Sequence, residues 1–113
     1  MNDWYDAEQQ VEKAQELFEQ QKWSEALELL RAAVAINPYN PAWQFNIGLT
    51  LDEMERFDEA IEAYAQALEI EANDLPSMNH LGIDLHRVGK LDEALRTFER
   101  IESIDPSYEA SYC

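Results

Sequence analysis

Three phrases in the sequence return at a single interval, and that interval constrains the fold more than any other feature. Trp23-Ser24-Glu25-Ala26-Leu27 comes back as Phe57-Asp58-Glu59-Ala60-Ile61 and again as Leu91-Asp92-Glu93-Ala94-Leu95, each step being 34 residues. Asn46-Ile47-Gly48-Leu49 returns one interval later as His80-Leu81-Gly82-Ile83, and Ile36-Asn37-Pro38 returns two intervals later as Ile104-Asp105-Pro106. A fixed period in the range of roughly 20–50 residues marks supersecondary units that cannot bury their apolar faces alone and must stack. The 113 residues accommodate one domain of three such units, at 7–40, 41–74 and 75–108, with an extension at 1–6 and the opening of a fourth unit or cap at 109–113.

Each unit reads as two helices. Apolar residues make up 46% of the chain, but only 3 Gly and 4 Pro are present, too few turn-formers for a many-stranded sheet protein. In the middle unit the spacing predicts helix A from about Pro41 to Glu53 and helix B from about Asp58 to Glu71. Asn40 is a favourable N-cap with Pro41 behind it in the first turn. Asp58 and Asp92, and Ser24 in the first unit, are expected at the starts of the B helices, where an acceptor or a negative charge suits the positive end of the helix dipole. Gly89 suits a left-handed residue closing helix A of the third unit. Gln21 and Glu55 hold the matching positions without that freedom, at a cost of about 1 kcal/mol each if the backbone is the same. Gly48 with Ala60, and Gly82 with Ala94, are expected where the two helices of a unit cross, their small side chains allowing close approach. Leu51, Ile61, Tyr64 and Leu68, and then Leu85, Leu95 and Phe98, are expected to fill the space between pairs.

These residues resemble the tetratricopeptide repeat family, whose pattern on a 34-residue period runs aromatic, Leu-Gly, Tyr, Ala, Phe, Pro. The middle unit matches with Ile47, Gly48, Leu51, Ala60, Tyr64 and Ala67 but has Ala72 at the proline position. The third matches with Leu81, Gly82, Leu85, Ala94, Phe98 and Pro106 but has Ile101 where a small residue is usual. The first matches with Leu17, Ala26, Leu30, Ala33 and Pro38 but has Lys13-Ala14 in place of Leu-Gly, as suits a terminal unit. The resemblance covers residues 7–108. It implies an all-α fold, an alpha-alpha superhelix (solenoid) of three helix-turn-helix repeats, with about six helices plus the start of a seventh.

The resemblance also implies a groove lined by the A helices that takes an extended peptide or a partner helix. By alignment its lining here is Val11, Gln15, Phe18 and Glu19 from the first unit, Phe45, Leu49, Asp52 and Glu53 from the second, and Asn79, Ile83, His86 and Arg87 from the third. The floor is apolar at Val11, Phe45, Leu49 and Ile83. The rim is acidic at Glu19, Asp52 and Glu53 and basic at Arg87 and His86. The competing reading packs some of these apolar residues against Trp4 or Tyr5. Family members that bind chaperone C-termini grip the terminal carboxylate with Lys, Asn and Arg. The matching positions here hold Val11, Gln15, Asn46, Pro76 and His80, of which only Asn46 agrees, so no such clamp is expected.

The formal net charge of −16 disfavours phosphate backbones and anionic lipid surfaces. The charge is uneven: the first unit nets −3, the second −8 and the third −2. A protein or peptide partner of apolar and basic character is the complement expected, with no nucleic acid and no membrane insertion. Cys113 is the sole cysteine, so no intrachain disulfide forms. The acidic start lacks the apolar run of a secretory signal, which makes the cytoplasm the expected location. His80 and Asp84 stand four apart, a spacing suited to a hydrogen bond and short of the three or four ligands a metal site needs. Asp84 replaces a small half-buried residue of the family pattern, with His80 or Arg87 as its expected partner. No phosphate-binding loop or nucleophile elbow is present, so neither catalysis nor a cofactor is expected.

The expected function is a non-catalytic interaction module: a scaffold, an adaptor or a small chaperone. Two alternatives compete with it. The last B helix presents Leu95, Phe98 and Ile101 with nothing obvious to cover them, which suits either a longer array or a homodimer through that end face. The chain also suits an accessory domain of a larger, possibly enzymatic, protein.

Overall fold

Alternating helices and tight turns follow the 34-residue period along the chain. The structure is a computed structural model that describes residues 3–108. Its six helices are α1 (Asp3–Glu19), α2 (Trp23–Ile36), α3 (Pro41–Glu53), α4 (Phe57–Ile70), α5 (Leu75–Arg87) and α6 (Leu91–Ile104). Each packs principally against its neighbours in the chain, so the molecule is three stacked hairpins. Its radius of gyration is 14.5 Å and its extents are 45 × 25 × 20 Å. A compact domain of this length would have a radius near ~13 Å, so the stack is elongated. The all-α superhelical fold implied by the repeats is the fold observed. The segment 109–113, where the sequence predicts the opening of a further helix, lies outside the described residues, as does the side chain of Trp4. From Asp3 onward the residues of the expected N-terminal extension are helical and belong to α1.

The turns inside the three hairpins are alike. Gln21, Glu55 and Gly89 all have positive φ, at 63°, 58° and 86°. Lys22, Arg56 and Lys90 then donate their backbone N–H groups back to Leu17, Leu51 and Leu85 at 2.8, 2.9 and 2.8 Å. This six-to-one bond satisfies carbonyls that the end of a helix otherwise leaves bare. The expected starts of the B helices shift by one residue as a result. Trp23, Phe57 and Leu91 open α2, α4 and α6, and Lys22, Arg56 and Lys90 take the cap positions without a side-chain cap bond. Ser24, Asp58 and Asp92 therefore lie inside the first turn, where the carboxylates still meet the helix dipole. Asn40 caps α3 as expected, accepting from the Ala42 N–H at 2.9 Å.

Two clusters form the main core. The first joins Leu17, Leu27, Leu30, Ile47, Leu51 and Tyr64 with the small residues Ala14, Ala26, Ala60 and Ala63. The second joins Met78, Leu85, Ala94, Phe98 and Ile101, with Ile61 and Leu68 of the preceding hairpin packed against it. Burying each large apolar side chain contributes roughly 1.5–3 kcal/mol, and the stack shares that gain between neighbours. Gly48 and Gly82 face Tyr64 and Phe98, one ring in each hairpin.

The end face differs from expectation. Phe98 and Ile101 are 7% and 1% exposed, and Ile101 packs in the same cluster as the partly buried Tyr108. Leu95, expected between pairs, is 59% exposed beside Leu91 at 57%. The helical spacing turns Phe98 and Ile101 inward toward α5 and leaves Leu91 and Leu95, one turn apart, on the outer side.

Candidate functional site

The A helices α1, α3 and α5 line one concave side of the stack. Two adjoining hollows run along it. Val11, Gln15, Phe18, Asn46 and Leu49 line the first, over Ala14, Leu30 and Thr50. The second measures about 650 Å³ and is lined by Phe18, Leu49, Asp52, Glu53, Glu55, Phe57, His80, Ile83 and Arg87. Phe18 and Leu49 belong to both, so an apolar strip runs from α1 across α3 to α5. Phe18 is held from behind by Trp23, edge-on with ring centroids 4.8 Å apart.

Eight of the twelve residues aligned to the groove line these hollows: Val11, Gln15, Phe18, Leu49, Asp52, Glu53, Ile83 and Arg87. Glu19 and His86 are exposed at the ends of α1 and α5. Gln15 donates from Nε2 to Glu19 at 3.4 Å. The other two, Asn79 and Phe45, are not among the residues that line these two hollows. Asn79 is 7% exposed and packed into the interior. Phe45 is partly buried in an aromatic cluster, edge-on to His80 at 5.3 Å and tilted to Tyr64 at 5.8 Å. That cluster welds the second hairpin to the third, so Phe45 contributes support more than floor. Tyr5 is 58% exposed and its hydroxyl accepts from Gln9 Nε2 at 3.0 Å, so it does not pack over the strip.

The polar centre of the second hollow is built by α3, α4 and α5 together. Tyr64, on α4, donates its phenol proton to Asp52 Oδ2 at 2.5 Å. Burial, and then Asp52 itself, push the Tyr64 phenol far above its ordinary range, so it stays a donor. His80 stacks on Tyr64 with centroids 5.5 Å apart, and burial lowers its imidazole pKa. Arg87 donates from Nη1 to Asp84 Oδ1 at 3.3 Å while its guanidinium lies 5.0 Å from the centroid of the Phe57 ring. Of the two partners expected for Asp84, Arg87 is the one bonded. Asp84 is 0% exposed, and burial followed by the neighbouring Asp52 carboxyl raises its pKa to about 8. The equivalent position one interval earlier is Thr50, whose hydroxyl is satisfied by the Asn46 carbonyl at 2.8 Å.

Sequence reasoning missed Glu55, Phe57, Asn46 and His80 as lining. Glu55 lies in the turn after α3 and Phe57 opens α4, both outside the A helices on which the alignment concentrates. Among the described residues, no group of three or more His, Cys, Asp or Glu side chains is placed to hold a metal, and no helix is long and apolar enough to cross a membrane.

The fold is that of several solved proteins. The first TPR of Spaghetti (RPAP3) bound to HSP90 peptide SRMEEVD aligns with a TM-score of 0.84 at 24% identity, over 90% of this chain and 81% of that one. MamA aligns with a TM-score of 0.83 at 26% identity, over 90% of this chain and 61% of that one. The Yersinia enterocolitica type III secretion chaperone SycD, in complex with a peptide of the translocator YopD, aligns with a TM-score of 0.83 at 19% identity, over 88% and 76%. No match was found among proteins of curated function. The tetratricopeptide repeat family model matches residues 17–81, more than half of the chain, and with the stacked hairpins and their small-residue contacts this places the protein in the tetratricopeptide repeat family.

Proposed function

We propose that the protein is a non-catalytic interaction module that binds a peptide segment or a partner helix along the strip from Val11 and Phe18 through Leu49 to Ile83. The observation that carries this reading is the continuity of that strip across α1, α3 and α5, rimmed by Asp52, Glu53 and Glu55. An apolar floor with polar rims is the arrangement that peptide recognition uses. Likeness to proteins solved with an HSP90 peptide and with a YopD peptide supports it. The acidic rim favours a segment that pairs apolar anchors with Lys or Arg, and it disfavours an acidic tail such as SRMEEVD. Val11 and Gln15 supply none of the cations a carboxylate clamp needs. The reading makes the module a scaffold, an adaptor or a small chaperone.

A library of short random peptides tests it. Binders enriched in apolar and basic residues are expected, with acidic sequences depleted. Leu49→Gln and Ile83→Gln should abolish their capture while circular dichroism shows the helices intact. Unchanged binding by both variants would overturn the reading. Phe45 is a poorer probe, since its ring supports His80 and Tyr64. The exposure of Leu91 and Leu95 favours a second reading, self-association through α6. Sedimentation tests it: a dimer lost in Leu95→Gln supports it, and a monomer at high concentration removes it.

A further inference from the structure

Two buried oxygens on neighbouring A helices have no donor. Asp52 Oδ1 on α3 and Asp84 Oδ2 on α5 are both shielded from solvent and unpaired, although the two carboxyl groups lie within hydrogen-bonding reach of each other. Their other oxygens are already engaged, Asp52 Oδ2 by the Tyr64 hydroxyl at 2.5 Å and Asp84 Oδ1 by Arg87 at 3.3 Å. Two carboxylates facing each other in a buried site leave two acceptors and no hydrogen between them. One proton repairs both deficits at once: Asp84 Oδ2–H donates and Asp52 Oδ1 accepts.

We propose that Asp52 and Asp84 form a proton-sharing acid pair that holds one proton at neutral pH at the junction of the second and third hairpins, so that the polar centre of the groove carries one negative charge instead of two.

The surrounding charges agree. From α3 the pair is faced by Asp52 itself, with Glu53 exposed at the rim. From α4 it is faced by the Tyr64 phenol, a donor fully used on Asp52. From α5 it is faced by His80, whose imidazole burial holds below its ordinary pKa, and by Arg87. The charged side chains of α6, from Asp92 to Glu102, are all exposed. Arg87 alone does not neutralise two carboxylates, since its side chain is 49% exposed and much of its field is lost to water. Like charges sharing a buried site push one acid's affinity for its proton strongly upward. The pair acts as a proton-operated control on the groove. Gaining or losing that proton halves or doubles the charge met by a basic side chain of the bound segment. That consequence rests on the proposed function, but the pair does not.

Side-chain carboxyl carbon NMR of the free full-length chain, from about pH 5 to 9.5, is the test. One aspartate resonance should titrate with a midpoint between about pH 7 and 9. Asp84→Asn should remove that transition, because its amide gives Asp52 a fixed donor. Asp52→Asn should move it down by at least about one pH unit. If every aspartate carboxyl of the unsubstituted protein titrates below about pH 6, the pair does not exist, and this outcome needs neither variant to fold. Because no peptide is present, its failure leaves the groove reading standing, and loss of peptide capture leaves the pair standing.

Discussion

Gly48 lies so close to the ring of Tyr64 that a Cβ added to it would come within 2.7 Å of both Cδ1 and Cζ. Tyr64 is pinned by its hydroxyl on Asp52 and by the ring of His80, so the clash is not relieved by a simple ring movement. Gly48→Ala should destabilise the protein by about 1–3 kcal/mol in urea denaturation. Gly82 meets Phe98 in the same way, with Cζ at 2.7 Å, but that ring carries no hydroxyl to anchor its far end. Gly82→Ala should therefore cost less than Gly48→Ala, and equal costs would show that the Asp52 bond does not hold the ring.

The turn between α3 and α4 invites stabilisation. Glu55 has a φ of 58°, where the matching residue of the third hairpin is Gly89 at 86°. A left-handed non-glycine residue costs about 1–2 kcal/mol, and glycine returns part of that gain through its looser unfolded chain. Glu55→Gly should raise stability by up to ~1 kcal/mol, read from the denaturation midpoint. Gln21→Gly should behave alike, and Gly89→Ala should go the other way.

Removing the Tyr64 hydroxyl isolates one buried bond. Tyr64→Phe keeps the ring against Gly48 and His80 but leaves Asp52 Oδ2 without its donor. A hydrogen bond to a charged group contributes about 1.5–3 kcal/mol, so a loss in that range is expected with the helix content unchanged. By contrast, Arg31→Ala should cost below ~0.5 kcal/mol. Its 3.4 Å ion pair with Glu59 is about half exposed on both sides, and Glu59, whose pKa is lowered chiefly by its hydrogen bond from Arg56, keeps that closer partner.

Stability should fall as pH rises from about 6.5 to 8. The folded pKa of Asp84, about 8, lies above its ordinary value of 3.8. Its stabilisation is therefore complete below the ordinary value and drains away as pH climbs toward the raised one. His80 works in the opposite sense: its lowered pKa gives stability that is present above its ordinary value of 6.5 and lost on acidification. In the window between, Asp84 dominates, at roughly 1–2 kcal/mol for the whole interval. Thermal melts at the two ends of that window should show the decline in the unsubstituted chain and little of it in Asp84→Asn.

The hairpins and their order are legible in the sequence because a 34-residue repeat fixes them many times over, but the ring that meets each glycine is not, since the repeat pattern puts Tyr64 and Phe98 between the pairs. Ala26, Ala60 and Ala94 are 0%, 0% and 3% exposed, the same environment met three times. The parts that are not legible occur once. Asp84 takes the place that Thr50 holds one unit earlier, and no period reveals which carboxylate will face it. Phe98 and Ile101 escape the sequence reading because the pattern marks them as apolar without saying which flank of α6 the fold will cover. Asn79 aligns with Phe45, which assigns it to the groove, yet the two side chains occupy different surroundings.

Since each helix leans mainly on the one before it and the one after it, the architecture has no keystone. A gene that duplicated the codons of the middle unit would lengthen the concave surface by one more pair of helices and leave both ends as they are. The reach of such a surface, and so the length of segment it can grip, is set by copy number alone.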